Sequence, residues 1–500
     1  MLGARVNVDI MKSASVNLSV ADRSFFDRVS TSAFTNPFGD ERGLADRCAL
    51  GLDREATFDE VLDRLLAELA RRIAALAIGG RRVDCTRFAA EDRGRVTIAL
   101  LFLVFHASIE RLDALIQQQL AAGDASCAAP FTGEICDELR GYGFTHDEAA
   151  QYVAIFYQLR RAFYFITNGL VGSSPAMKQL RKRLWENIFT HDVRWYVACL
   201  WNRMEEFSTL LLGETGTGKG AAAAALGRSG FIPYDPAGRC FAESFTRAFV
   251  PINLSQYPET LIESELFGHR KGAFTGAVER HEGVFARCSP HGAIFLDEIG
   301  DTSEPVQIKL LQVLQQRTFS PVGGHETLRF EGRVIAATNK PLGRLRRAGV
   351  FRDDFYYRLC SDQIEMPPLS RRLRELPSEL ETLVTHMLRR MCGEGARTLV
   401  DPVMGALAHG VGPDYAWPGN VRELEQAVRR ILLTGRYTGD TAPEGEPEGD
   451  LAERLARGEL TVKALTAAYC RALFKRYGRY EEVAKRTGLD WRTAKKYAES

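Results

Sequence analysis

The chain reads as a multidomain protein: a mostly helical first third, a central α/β domain built on a parallel sheet, a helical lid, and a small basic helical end. Three observations predict this. Apolar residues recur at helical spacing before Gly169, whereas short β-branched runs alternate with helical stretches after it. One of those runs ends in a glycine-rich loop closed by a lysine, Gly213-Glu-Thr-Gly-Thr-Gly-Lys219-Gly220. The bulk numbers agree: 500 residues imply roughly three or four domains, and 45% hydrophobic residues supply several cores. The formal net charge is only +1, so any nucleic-acid site has to be a local patch. The ten cysteines form no Cys-x-x-Cys pair and have no histidine at zinc spacing, which reads as small buried hydrophobes in a reducing compartment. No basic flank precedes an apolar stretch at the N-terminus, and the longest apolar run, Ile98 to Phe105, falls short of the roughly 20 residues a span needs. A soluble cytoplasmic protein without membrane partners is the expectation.

Residues 1–168 predict a helical domain. Val61, Leu62, Leu65, Leu66 and Leu69 recur at helical spacing between Phe58 and about Leu76; further helices cover Val96 to Leu120 and Asp147 to about Ile166. The paired acidic residues and lysine of a phosphoacceptor receiver cannot be placed here. Phe25, Phe26, Phe34 and Phe38 suit either a core or a partner-binding surface. From Leu170-Val-Gly-Ser-Ser-Pro the α/β texture begins and defines a domain over 169–435, with strands at Leu210–Leu212, Phe249–Ile252, Ala293–Leu296 and Arg333–Ala337. Beyond Met366-Pro-Pro the pattern is helical through Leu433, as in a lid. Residues 436–450 are acidic and rich in Pro and Gly, hence a flexible linker, and 451–500 are helical and basic.

The loop after the first strand is built for phosphate. Glycines let its backbone N–H groups turn toward the oxygens, the following helix adds its positive dipole end, and Lys219 reaches the β- and γ-phosphates. Gly213, Glu214, Thr215, Gly216, Thr217, Gly218, Lys219 and Gly220 are the candidate nucleotide contacts. Gly220 stands where the general motif has a hydroxyl residue, so no side-chain oxygen there reaches Mg²⁺, and it slightly weakens the helix start. Asp297 and Glu298 end an apolar strand: a carboxylate there holds Mg²⁺ through water, and its neighbour orients or deprotonates the attacking water. ATP and Mg²⁺ are the implied cofactors.

Between these two halves lie Gly272, Ala273, Phe274, Thr275, Gly276 and Ala277. A phenylalanine between glycines has no obvious core role. It offers an apolar contact, Thr275 a hydrogen bond, and the glycines let the backbone swing. At the other end, Tyr480 to Tyr497 has helix-turn-helix spacing: Ala484 is small where two helices approach, Gly488 permits the turn, Leu489 and Ala494 face inward, and Asp490 caps the second helix. Trp491, Arg492, Thr493, Lys495 and Lys496 then face a groove or phosphates of double-stranded DNA. Residues 451–500 carry twelve Lys and Arg against six Asp and Glu. A basic hairpin docking on the rest of the protein is the plainer alternative.

The ordered trio of phosphate loop, GAFTGA and Asp297-Glu298 resembles the AAA+ ATPases that activate bacterial RNA polymerase carrying the sigma-54 factor. The likeness covers about Leu170 to Leu433 and, more loosely, Leu451 to Ser500, whose end is similar to a Fis-like DNA-binding domain; it does not cover Met1 to Asn168. It implies a hexameric ring in which Arg352 and Arg358 of Phe351-Arg-Asp-Asp-Phe-Tyr-Tyr-Arg-Leu are fingers into a neighbouring subunit's site, although by themselves they could pair with Asp353 and Asp354. It further implies that Thr338 and Asn339 sense the γ-phosphate and that Arg422 of Trp417-Pro-Gly-Asn-Val-Arg contacts nucleotide. By the same likeness Asn253, which could also cap a turn, holds Glu298 inactive. The GAFTGA loop would move with nucleotide state against sigma-54 holoenzyme, the C-terminus would bind upstream DNA as a dimer, and the N-terminal domain would adjust ring assembly or ATPase rate. Residues 190–207 are longer than the family's usual spacing and 232–247 look like an insertion. A general AAA+ remodeller or loader, and a nucleotide-gated repressor without hydrolysis, are the rival readings.

Overall fold

The computed structural model describes residues 16–50, 58–77, 82–412, 415–439 and 461–499. They fall into two compact units, Met1–Arg436 and Tyr437–Ser500. Most of the expected linker, and the stretch up to residue 460, lie outside the described residues.

Among the described residues the first unit begins with seven α-helices: α1 (Val20–Phe34), α2 (Asp40–Leu50), α3 (Phe58–Ala75), α4 (Ala90–Ala122), α5 (Phe131–Gly141), α6 (His146–Gly169) and α7 (Pro175–Phe189). Local chemistry sets their starts. Ser19 caps α1 by accepting from the Asp22 N–H, Thr145 and Glu148 form a reciprocal capping box on α6, and Pro175 opens α7. Phe25 and Phe26 are fully buried and Phe38 stacks on Phe163 at 5.3 Å, so these aromatics are core residues.

Nine strands follow: β1 (Thr209–Leu212), β2 (Tyr234–Asp235), β3 (Cys240–Phe241), β4 (Phe249–Asn253), β5 (Ala293–Asp297), β6 (Thr318–Phe319), β7 (Leu328–Arg329), β8 (Arg333–Thr338) and β9 (Asp362–Glu365). Five make a parallel sheet in the order β4-β5-β8-β1-β9. Successive residues alternate between two cores. Leu210, Ile294, Leu296, Val334 and Ala336 enter one; Leu211, Ala293, Phe295, Ile335 and Ala337 enter the other. That is the mark of a parallel sheet covered on both faces. Strands β4, β5, β8 and β1 fall where the apolar runs predict them, and β9 is an addition.

The second of these cores is continuous with the helices before Gly169, from Leu18 through Phe26, Leu100 and Ile166 to Ile364. Packing therefore does not break at the 168/169 boundary expected from sequence. The inserted segment explains part of this. It folds as the β2–β3 hairpin and docks on the helical region: the Ala129 N–H donates to the Arg239 carbonyl at 2.8 Å, Thr132 Oγ1 to the Tyr234 hydroxyl at 2.8 Å, and Phe241 stacks on Tyr157. The segment before β1 also packs inward, with Tyr196 fully buried and its hydroxyl donating to Gln158 at 2.8 Å.

The described residues of the second unit form three helices, Val462–Tyr477, Tyr480–Thr487 and Trp491–Glu499, closed over Cys470, Leu473, Val483 and Ala494. Gly488 takes φ +71° at the turn, and the Asp490 carboxylate accepts from the N–H groups of Arg492 and Thr493. Among the described residues no helix is long and apolar enough to cross a membrane.

Candidate nucleotide-binding site and output loop

The phosphate loop leaves β1 and feeds the helix Lys219–Gly227, whose N-terminal N–H groups face the loop's interior. Gly216 and Gly218 sit at φ +81° and +97°. At Gly216 a β-carbon would meet the Gly419 carbonyl at 2.1 Å, so no side chain fits. Lys219 is buried and donates to the carbonyls of Gly213 and Glu214 at 2.9 and 3.2 Å. Burial pulls its pKa below the usual lysine value, with Glu298 and Asp297 opposing that shift from across the site.

Register places the acids. Asn253 and Asp297 are partners on neighbouring strands β4 and β5, so their side chains lie together and Asn253 Nδ2 donates to Asp297 Oδ2 at 3.4 Å. The other Asp297 oxygen accepts from the Glu298 N–H at 3.1 Å. Burial pushes the Asp297 carboxyl upward, with Lys219 and Arg422 acting against it. Glu298 then takes a left-handed backbone, φ +55°, which swings its carboxylate to the Asn339 N–H at 3.3 Å. Asn253 is thus against Asp297 rather than Glu298, a correction to the expected restraint, and it also accepts from the Ser255 N–H as a turn cap.

The other expected contacts divide. Asn339 Nδ2 donates to Thr215 Oγ1 at 2.8 Å, bringing the end of β8 onto the phosphate loop. Thr338 does not join it: the side chain is buried and accepts from the Lys340 N–H. Arg422 lies beside Gly216 at the start of the lid helix Asn420–Thr434. Asn420, two residues before it, is the residue that sequence reasoning passed over. Buried at φ +53°, it donates to the Glu214 carboxylate and the Thr215 carbonyl at 3.0 and 3.1 Å and accepts from the Leu369 N–H at 2.7 Å. The Val421 N–H meets the Gly216 carbonyl at 3.1 Å, so lid and loop are stitched together. The signal was present, because Asn420 lies inside the motif that drew attention to Arg422.

Arg352 and Arg358 stand apart from this cluster. Arg352 pairs with Asp354 and Glu304 at 2.8 and 2.9 Å, the plain pairing considered from sequence, whereas Asp353 pairs with Arg346. Arg358 donates to the Leu314 carbonyl at 3.0 Å and lies 3.8 Å from Glu206.

The GAFTGA segment is a compact exposed turn. Its stem is pinned by paired His269–His281 backbone bonds and by Arg270 N–H to the Val322 carbonyl at 3.1 Å; within it, Gly272 N–H reaches the Ala277 carbonyl at 2.8 Å. Gly272 and Gly276 take φ +82° and +105° in open space. Phe274 is 37% exposed and rests edge-on against His269, ring centres 4.9 Å apart. In the C-terminal unit, Trp491, Arg492 and Lys496 are exposed, and Lys495 Nζ lies 5.6 Å over the rings of both Tyr480 and Trp491.

The donor set fits Mg²⁺ carried in by a nucleotide. One desolvated carboxylate, Asp297, faces the loop, no hydroxyl follows Lys219, and no cluster of three or more His, Cys, Asp or Glu that could hold a metal by itself occurs among the described residues.

The chain is similar to known proteins. Residues 196–365 match the Sigma-54 interaction domain family. The chain is 37% identical over 334 residues to the transcriptional regulatory protein ZraR of Klebsiella oxytoca, covering 65% of this chain and 67% of that one. It is 37% identical over 286 residues to the DNA-binding transcriptional regulator NtrC of Azospirillum brasilense, covering 57% and 51%. Among solved structures, NtrX from Brucella abortus in complex with ATP aligns over 73% of this chain and 78% of that one, with 22% identity and a TM-score of 0.41. The chain spans between about half and two thirds of the length of these curated relatives. It belongs to the family of sigma-54-dependent transcriptional activators, with a central AAA+ domain at its heart.

Proposed function

We propose that the chain hydrolyses ATP and converts the loss of the γ-phosphate into movement of the GAFTGA turn against sigma-54 RNA polymerase, opening promoter DNA. One observation carries the reading: Lys219, Asp297, Glu298 and Asn339 converge on one loop, while an exposed glycine-hinged turn leaves the same domain. Lys219 positions the β- and γ-phosphates. Asp297 would hold Mg²⁺, and the bound ion would neutralise charge developing on the phosphate oxygens. Glu298 orients the attacking water and accepts its proton, and its tie to the Asn339 N–H couples that role to the loop.

Arg352 and Arg358, half-exposed and off their own site, supply positive charge to a neighbouring subunit in a hexamer once their intrachain pairs open. Trp491, Arg492, Thr493, Lys495 and Lys496 bind upstream DNA, as a dimer. The helical region sets the ATPase rate by its grip on the phosphate-loop helix, where Gln158 and Arg161 of α6 hold the carbonyls of Ser229, Arg228 and Gly230.

Glu298→Gln tests the chemistry. It should leave ATP binding within about twofold and lower turnover by roughly 10²-fold or more, the usual worth of a catalytic base; unchanged turnover removes Glu298 from its role. Thr275→Ala tests the output separately, since ATPase should persist while open-complex formation at dependent promoters is lost.

A further inference from the structure

Between α1, α4, α6 and α7 lies a cavity of about 400 Å³, a size typical of small-molecule sites. Its wall is largely apolar and aromatic, with Leu101, Phe105, Phe156, Leu159, Phe163 and Trp185 among the lining residues, and the exposed Arg194 and Ala198 stand at its rim. Nothing in the nucleotide chemistry uses it. Three arginines reach the wall, and each is already neutralised: Arg42 by Asp46 at 2.9 Å, Arg160 by Asp113 at 2.6 Å and Arg194 by Asp192 at 2.6 Å. The cavity therefore offers no spare charge to an ionic ligand.

Its wall also carries the polar side chains Thr35, Thr97, Tyr152 and Trp185, the last with a buried indole N–H that has no partner among the described residues, and His106 supplies an acceptor. His106 Nδ1 lies 2.8 Å from the Phe102 carbonyl, which can only accept, so Nδ1 carries the hydrogen and Nε2 is left as an acceptor. Among the described residues no donor reaches that nitrogen. Burial holds the ring neutral, its pKa pulled down to about 4.

We propose that this cavity binds a neutral aromatic small molecule bearing a single N–H or O–H donor, its rings against the aromatic wall and its donor on His106 Nε2. The site stands independently of ATP hydrolysis. It is placed to matter to it, because α6 carries Phe156, Leu159 and Phe163 on the cavity side while Gln158 and Arg161 of the same helix hold the phosphate-loop helix.

The test is fluorescence titration of the full chain, without nucleotide, using N-phenyl-1-naphthylamine and its N-methyl derivative. The expected result is saturable enhancement with the first probe at one per chain, lost when Leu159→Trp fills the cavity. His106→Phe should weaken the first probe about fivefold, the worth of one neutral hydrogen bond, and leave the N-methyl probe unchanged. Should Leu159→Trp fail to fold, Ala198→Trp closes the exposed rim with less disturbance to the core. No saturable binding to the parent chain, or equal binding to a folded plugged variant, overturns the site. Equal losses of both probes in His106→Phe overturn the donor assignment.

Discussion

Glu298 and Asn420 both hold left-handed backbone that a residue other than glycine adopts at a cost of about 1–3 kcal/mol each. The fold spends that energy where lid, strand end and phosphate loop meet. The conformation of Glu298 could not be read from sequence, because nothing in that residue type announces it, whereas asparagine is the side chain that most readily takes left-handed backbone. The Glu298 carboxylate itself could be read, from the apolar strand before it. Gly220 is the opposite case, a glycine with no left-handed backbone and with open space where a β-carbon would stand. Gly220→Ala should thus raise stability by up to about 1 kcal/mol, read from the urea midpoint, with ATPase retained. His106 gives stability a pH dependence. Its folded pKa, near 4, lies below the ordinary value of 6.5, so the unfolded chain binds the extra proton between them and the folded protein loses stability as pH falls through that window. The slope integrates to on the order of 3 kcal/mol and should vanish in His106→Phe, as denaturant titrations from pH 7 to 4 would record.

The helix α6 shows what periodicity reveals and what it hides. Its existence and span were legible from aromatic residues at helical spacing, and its capping box strengthens the start. Its task was not legible, because Arg161 finds its partners 67 and 69 residues away, at the carbonyls of Arg228 and Gly230. That guanidinium is fully buried and makes no salt bridge among the described residues; desolvation pulls its pKa down to about 10, with Tyr157, Tyr196 and Glu243 acting against the shift, and it lies over the Tyr157 ring. It satisfies carbonyls just past the end of the phosphate-loop helix, where a cation also suits the helix dipole. Arg161→Met should cost about 3 kcal/mol by stranding those carbonyls, measured by chemical denaturation, and should alter the KM for ATP although it touches no nucleotide. Strand β9 escaped detection for a different reason: in Asp362-Gln-Ile-Glu only Ile364 is buried, so an edge strand looks like loop. The two-residue strands of the hairpin are likewise too short for any period.

Across the whole molecule, the phosphate loop and the Asp297-Glu298 strand end were readable, since phosphate chemistry demands fixed residues at fixed spacing. The partner of Asn253, the burial of Thr338 and the part of Asn420 depend instead on contacts distant in sequence. The leading region was readable only as helices. The C-terminal unit was legible through Gly488, Asp490 and Ala494, whose conformational roles are local. If its exposed basic face binds DNA, Arg492→Ala and Lys496→Ala should each weaken association with any duplex and lower the salt slope by about one, as read by anisotropy over a salt series. ATPase by the chain lacking that unit should be unchanged.

The shared core between the leading helices and one sheet face carries a lesson for dissection and for descent. A protein trimmed to begin at Leu170 would bare Tyr196, Phe241 and Phe245, and would leave three carbonyls just past the far end of the phosphate-loop helix without donors. Its inactivity would therefore say nothing about signalling. A helical region welded in this way cannot be exchanged like a cartridge; change in it has to come by reshaping the helices already present rather than by swapping them.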